Sequence, residues 1–163
     1  MELLRDARGW IATGLGSGLT PVAPGTFGTL AALPLCWALG HYSALWLYLL
    51  ATVSLFCLGW WAAAWVVRTY QIQDPGVIVI DEWAGMAITW LPVAYWPHAQ
   101  HFWPTLAAAF LVFRATDIIK PWPANWADAK LHGGFGAMLD DAFAGIWSAA
   151  IMLLLLWMGV FAS

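Results

Sequence analysis

"SALWLYLLATVSLFCLGWWAAAWVV", residues 43–67, contains no charged side chain. As an α-helix it would extend ~38 Å at 1.5 Å per residue, enough to cross a ~30 Å hydrocarbon core with tilt. Residues 142–162 form a second uninterrupted apolar run. Residues 102–119 form a third, with Arg114 and Asp117 near its end. Two shorter runs, 26–40 and 83–96, are interrupted by Pro34 and Pro92. Each reads as a kinked span or as a re-entrant segment covered by protein. None of the five alternates apolar with polar residues, which argues against a membrane barrel.

Composition supports this reading. The 163 residues are 63% hydrophobic and 9% charged, with 14 Trp. A soluble domain carries about 25% charged residues, so a water-facing surface cannot be assembled from this chain. The expected fold is a single all-α domain, a multi-helical integral membrane protein with about five membrane segments. No basic run exceeds one residue and the net charge is −3, so the electrostatic footprint of nucleic-acid binding is absent. Cys36 and Cys57 lie inside apolar runs and read as small core residues. The opening "MELLRDARGW" has no apolar core with a small-residue cleavage site, so no cleavable signal peptide is expected.

If all five segments cross, the connections fall into two groups. Residues 1–25, 68–82 and about 114–141 share one side and carry every Arg, Lys, Asp and Glu, Asp74 and Asp128 included. Residues 40–43 and 97–101 and the C-terminal tail share the other, with His41, His98 and His101 as the titratable side chains. The positive-inside rule makes the charged side cytoplasmic. Trp61, Trp65, Trp83, Trp122 and Trp126 would mark that interface, and Trp46, Trp96, Trp103 and Trp157 the opposite one.

Three charged stretches sit at span mouths: "DEWAGMAI" with Asp81 and Glu82, "FRATDIIKPWP" with Arg114, Asp117 and Lys120, and "HGGFGAMLDDAFAG" with Asp140 and Asp141. Carboxylates at a bilayer boundary are costly unless paired, solvated or bound to a cation. Convergence of these acids at one rim would suit Mg²⁺, which takes carboxylate oxygens, water and substrate phosphate. Arg114, Asp117 and Lys120 recur every three residues on one helix flank, and Pro121 and Pro123 end that helix. Asp81 and Asp141 each open the pattern D-x-x-A-G, whose glycine falls on the same face and admits a neighbouring backbone. Each element also has a plainer reading. An acid in a first helical turn is an ordinary cap, Arg114–Asp117 an ordinary ion pair, and "HGGFG" a flexible loop with His132 solvated in it.

"GLGSGLTPVAPGTFGTL", residues 14–30, precedes a span on the same charged side. Its glycines can expose backbone N–H groups, Thr26 and Thr29 add hydroxyls, and a helix starting near Thr26 would aim its positive end at the acids. A simple turn entering the bilayer is the alternative. A cation site beside an anion-friendly helix start suggests a phosphate substrate.

These motifs, in this order, resemble the phosphatidylglycerophosphatase A family: 16–30, "DEWAG" at 81–85, 113–123 and "GGFGAMLDDAFAG" at 133–145. Thr20 and Thr29 stand where serine is expected, and Ala137 where a larger aliphatic is usual. The resemblance implies Mg²⁺-dependent hydrolysis of phosphatidylglycerophosphate to phosphatidylglycerol and phosphate, in the bacterial inner membrane, at a cytoplasmic rim. Asp81, Glu82, Asp117, Asp140 and Asp141 would be its catalytic and metal-binding carboxylates. Arg114 and Lys120 would clamp the phosphate, with Thr26, Thr29, Gly133 and Gly134 as further substrate contacts. Direct attack by water and an aspartyl-phosphate route both remain open. The non-enzymatic alternative is a divalent-cation-binding or transport protein, because intramembrane acids also mark ion routes.

Overall fold

The computed structural model describes residues 2–71, 76–96 and 102–161, and within them the chain is helical throughout with no strand. Short α1 (Ala7–Ala12) precedes α2 (Pro24–Tyr42), α3 (Leu45–Tyr70), α4 (Ile80–Ala94), α5 (Phe102–Ile119), short α6 (Ala124–Lys130) and α7 (Gly133–Trp157). Asp74 and the connection at 97–101, with His98 and His101, lie outside the described residues.

Local signals set the boundaries. Pro24 occupies the first turn of α2 behind Ala23, which is left-handed at φ 47°; proline's fixed φ suits that position. α5 stops at Ile119, where Lys120 turns left-handed at φ 47° and Pro121 follows. Both α2 and α4 continue through their internal prolines, Pro34 and Pro92.

Among the described residues three helices, α3, α5 and α7, are long and apolar enough to cross a membrane. α4, with 15 residues, reaches only ~22 Å at 1.5 Å per residue. It is instead the hub, buried on nearly every face from Ile80 to Val93 and packed by α2, α3, α5 and α7. A helix apolar all round belongs in the interior. Tyr48 of α3, fully buried, donates its hydroxyl to the Ala87 carbonyl of α4 at 2.7 Å. Thr116 of α5 bonds the Ala144 carbonyl and Ser148 of α7. These bonds satisfy polar groups that an apolar interior would otherwise penalise. Outward surfaces carry large apolar side chains such as Leu50, Val53 and Trp61 on α3 and Leu111 and Ile118 on α5, a surface fitted to lipid rather than water.

Two expectations change. Trp83 is 8% exposed and belongs to the core, not to an interfacial belt. At the start of the hub helix it lies against the turn after α1, where a Cβ on Gly14 would stand 2.6 Å from its indole nitrogen. Cys57 is exposed on α3, whereas Cys36 is buried as expected.

Helix directions alternate. One cavity is lined by the starts of α2, α4 and α7 together with the end of α5. A smaller one at the far end is lined by Trp37, Gly40 and His41 of α2, Trp90, Val93 and Ala94 of α4, Trp96, and Phe102 and Thr105 of α5. The first holds the charge, and among the described residues the second is lined by no Asp, Glu, Lys or Arg.

Candidate active site

The charged cavity encloses about 580 Å³. Into it project Asp81 and Glu82 from the first turn of α4, Arg114 and Asp117 from the last turns of α5, and Lys120 just beyond. Asp128 comes from α6, and Asp140 and Asp141 from the second and third turns of α7. Among the described residues, six carboxylates therefore face two fixed cations.

A close helix crossing brings the acids together. The two D-x-x-A-G segments meet at their glycines. A Cβ on Gly145 would stand 2.6 Å from the Gly85 carbonyl, and one on Gly85 would stand 2.8 Å from that of Asp141. Only hydrogen fits at this crossing, so the backbones of α4 and α7 touch. The leading acid of each segment, one turn earlier, is carried to the same spot. Asp81, Glu82 and Asp141 consequently offer carboxylate oxygens that all lie within 4.8 Å of one another.

The remaining acids have cations. Arg114 Nη1 lies 2.5 Å from Asp117 Oδ2 and 3.8 Å from Glu82 Oε1. Thr29 Oγ1 receives a long bond from the same nitrogen at 3.5 Å. Lys120 Nζ donates to Asp128 Oδ1 and to Asp140 Oδ2, each at 2.6 Å. Burial alone would lower the pKa of this ammonium, but its bonds to Asp128 and Asp140 hold it above the ordinary lysine range. Lys120 thus stays charged at any physiological pH.

The glycine of "APGT" is explained here. A Cβ on Gly25 would strike Glu82 Oε1 and come within 3.3 Å of both terminal guanidinium nitrogens of Arg114. Its absence lets the first turn of α2, the positive end of that helix, close directly over the acid–guanidinium pair.

Among the described residues four side-chain atoms are buried without a hydrogen-bond partner: Glu82 Oε2, Asp140 Oδ1 and Arg114 Nε, whose residues line the cavity, and Trp83 Nε1, whose residue does not. Orphaned buried polar atoms cost ~1–3 kcal/mol each, more when charged, and three of the four on charged side chains of one cavity point to a ligand there. Three clustered oxygen donors, two of them carboxylates with no cation within 4 Å, fit a hard divalent cation.

The structure sorts the expected residues. Asp81, Glu82, Arg114, Asp117, Lys120, Asp140, Asp141, Thr26 and Gly133 line the cavity. Asp81, Glu82 and Asp141 form the cation-fitting group, while Asp117 and Asp140 are held by Arg114 and Lys120. Thr29 and Gly134 are not among the lining residues. Thr29 is buried, donates to the Gly25 carbonyl at 2.8 Å and supports Arg114. Gly134 is buried where α7 presses on the backbone of Ala63 and Ala64 in α3. Asp128 is the residue that spacing missed, because its link to Lys120 bridges a proline turn between two helices. His132 also lines the cavity.

A family model described as phosphatidylglycerophosphatase A matches residues 10–156. The chain belongs to the phosphatidylglycerophosphatase A family. Every cavity residue discussed above lies inside the matched span. The chain is 40% identical to "Phosphatidylglycerophosphatase A" of Escherichia coli (strain K12) over 142 residues, 87% of this chain and 79% of that one. It is 37% identical to the protein of the same name from Haemophilus influenzae, over 87% of this chain and 84% of the relative. A third relative, "Putative phosphatidylinositol-3-phosphatase" of Bacteroides thetaiotaomicron, is 33% identical over 90% of this chain and 92% of its own length. No solved structure matches. Membership in the phosphatidylglycerophosphatase A family makes the protein a phosphatase, and its relatives' names share a phosphorylated lipid as substrate.

Proposed function

We propose that the charged cavity hydrolyses the terminal phosphomonoester of phosphatidylglycerophosphate, yielding phosphatidylglycerol and phosphate, with Mg²⁺ held by Asp81, Glu82 and Asp141. The observation that carries this reading is the carboxylate trio within 4.8 Å in the same cavity as Arg114 and Lys120. Bound there, Mg²⁺ would neutralise phosphate oxygens and make a water more acidic.

The chain's own groups supply the rest. Arg114, pinned by Asp117 and propped by Thr29, keeps its guanidinium in one orientation, with Nε still unpaired. It is placed to receive a phosphate that carries two negative charges. Lys120, stretched between Asp128 and Asp140, holds a second positive charge at the rim. The start of α2 contributes Thr26 and the positive end of a helix dipole. Preorganised charges of this kind stabilise the developing transition state without reorganising.

In this reading the charged end faces the cytoplasm of a bacterial inner membrane, following the positive-inside rule. α3, α5 and α7 cross, and α2 and α4 are short embedded segments that complete about five. The phosphate is met at headgroup level while the acyl chains stay in lipid. A cation transporter is disfavoured, because the relatives are phosphatases and the acids gather at one end of the bundle.

Purified protein in detergent, given phosphatidylglycerophosphate, should release phosphate with Mg²⁺ and stop on adding EDTA. Release unaffected by chelation would remove the metal from the proposal; metal binding without release would favour the cation-binding alternative. Competing phosphatidate and phosphatidylinositol 3-phosphate in the same assay sets the headgroup preference.

A further inference from the structure

An apolar groove of about 440 Å³ runs between α2 and α5, walled by Leu30, Leu33 and Trp37 on one side and by Phe102, Trp103 and Leu106 on the other. On α2 its lining starts one turn beyond Thr26 of the charged cavity; on α5 it lies two turns from Arg114, and its far end shares Trp37 and Phe102 with the smaller cavity. On α2, Thr26 lines the cavity, and Leu30, Leu33 and Trp37 follow it at four, seven and eleven residues, a single helical stripe. On α5, Arg114 lines the cavity. Phe110, Leu106 and Phe102 precede it at successive four-residue steps, again one stripe. The polar head of each stripe is in the cavity and its apolar tail is in the groove. Leu30, Trp37 and Phe102 are 42%, 38% and 38% exposed, so the groove opens to the lipid side.

We propose that the α2–α5 groove is the subsite for an acyl chain of the lipid substrate whose phosphate occupies the cavity. This rests on the function proposed above. A long-chain lipid then binds at two places, phosphate at the rim and hydrocarbon along the groove. A short-chain analogue reaches the same rim without filling the groove. The groove sets affinity for the chain and leaves the chemistry at the phosphate alone.

The test uses full-length protein in mixed micelles at fixed surface concentration, with dihexanoyl and dipalmitoyl phosphatidylglycerophosphate as the two substrates. Leu106→Trp and Leu33→Phe fill the groove from opposite walls. Each should raise KM for the dipalmitoyl lipid about tenfold, the equivalent of losing roughly two buried methylenes. Each should change kcat/KM for the dihexanoyl lipid less than about twofold. Leu153→Trp, on an exposed face of α7, should alter neither. Equal losses for both substrates, from misfolding or from a shared effect, would overturn the assignment, as would no chain-length selectivity in either variant. Activity of the wild-type protein on the short-chain lipid reports separately on the catalytic proposal.

Discussion

Two groups of carboxylates share one cavity and have opposite electrostatic circumstances. On the α5–α6 side, Asp117, Asp128 and Asp140 each stand 2.5–2.6 Å from a cation of the chain itself. At the α4–α7 crossing, Asp81, Glu82 and Asp141 crowd together; Glu82 reaches Arg114 at 3.8 Å, and its other oxygen is orphaned. The same residue type thus serves two purposes. The paired acids position the cations, and the crowded acids are an unbalanced charge that an added divalent ion would balance.

Removing a member of the crowded group should separate the two roles most sharply. Asp141→Asn or Asp81→Asn should lower kcat about 10³-fold, ~4 kcal/mol of transition-state stabilisation. The melting temperature without metal should hold or rise, because like-charge repulsion is relieved. A parallel fall in stability would mean that the crowd is structural. Gly25→Ala comes next. The added methyl pushes Glu82 from Arg114 and blurs the boundary between the groups. A loss of about 10–100-fold in kcat/KM is expected from misplacement of this size, measured beside a circular-dichroism melt showing that the fold persists. Asp128→Asn should have the smallest effect. Its side chain is 53% exposed, and exposed ion pairs contribute about 0–1 kcal/mol. Lys120 keeps Asp140, so KM should move about threefold or less with kcat unchanged.

The legibility of these groups differs for a physical reason. Hydropathy and charge parity already placed the acids at one end, because lipid forbids scattering them. The repeated D-x-x-A-G frame announced a close backbone approach, and the structure uses both glycines at one crossing. Pro121 marked the end of α5 because a helix cannot pass that turn. The Arg114–Asp117 pair was legible from its i,i+3 spacing, but the partners of Lys120 were not. That choice depends on side chains reaching between helices, as Lys120 does to Asp128 and Asp140, and local spacing carries no record of it. A hydroxyl or a glycine expected to meet a ligand has the same local signature as one used for packing, so the burial of Thr29 against Gly25 and Arg114, and of Gly134 against α3, was not legible. The runs interrupted by Pro34 and Pro92 left a kinked span and a re-entrant segment both open; each helix runs on through its proline, and the limit on α4 is its length.

The most direct measurement of the central claim is divalent-cation binding by the detergent-purified wild-type, Asp141→Asn and Asp128→Asn proteins, followed by calorimetry with Mg²⁺ and by Mn²⁺ paramagnetic resonance. The account predicts binding to the wild type, a loss of about 100-fold in affinity (~2.7 kcal/mol) for Asp141→Asn, and a change within about threefold for Asp128→Asn. Equal weakening in both variants, or no binding by the wild type, would contradict it.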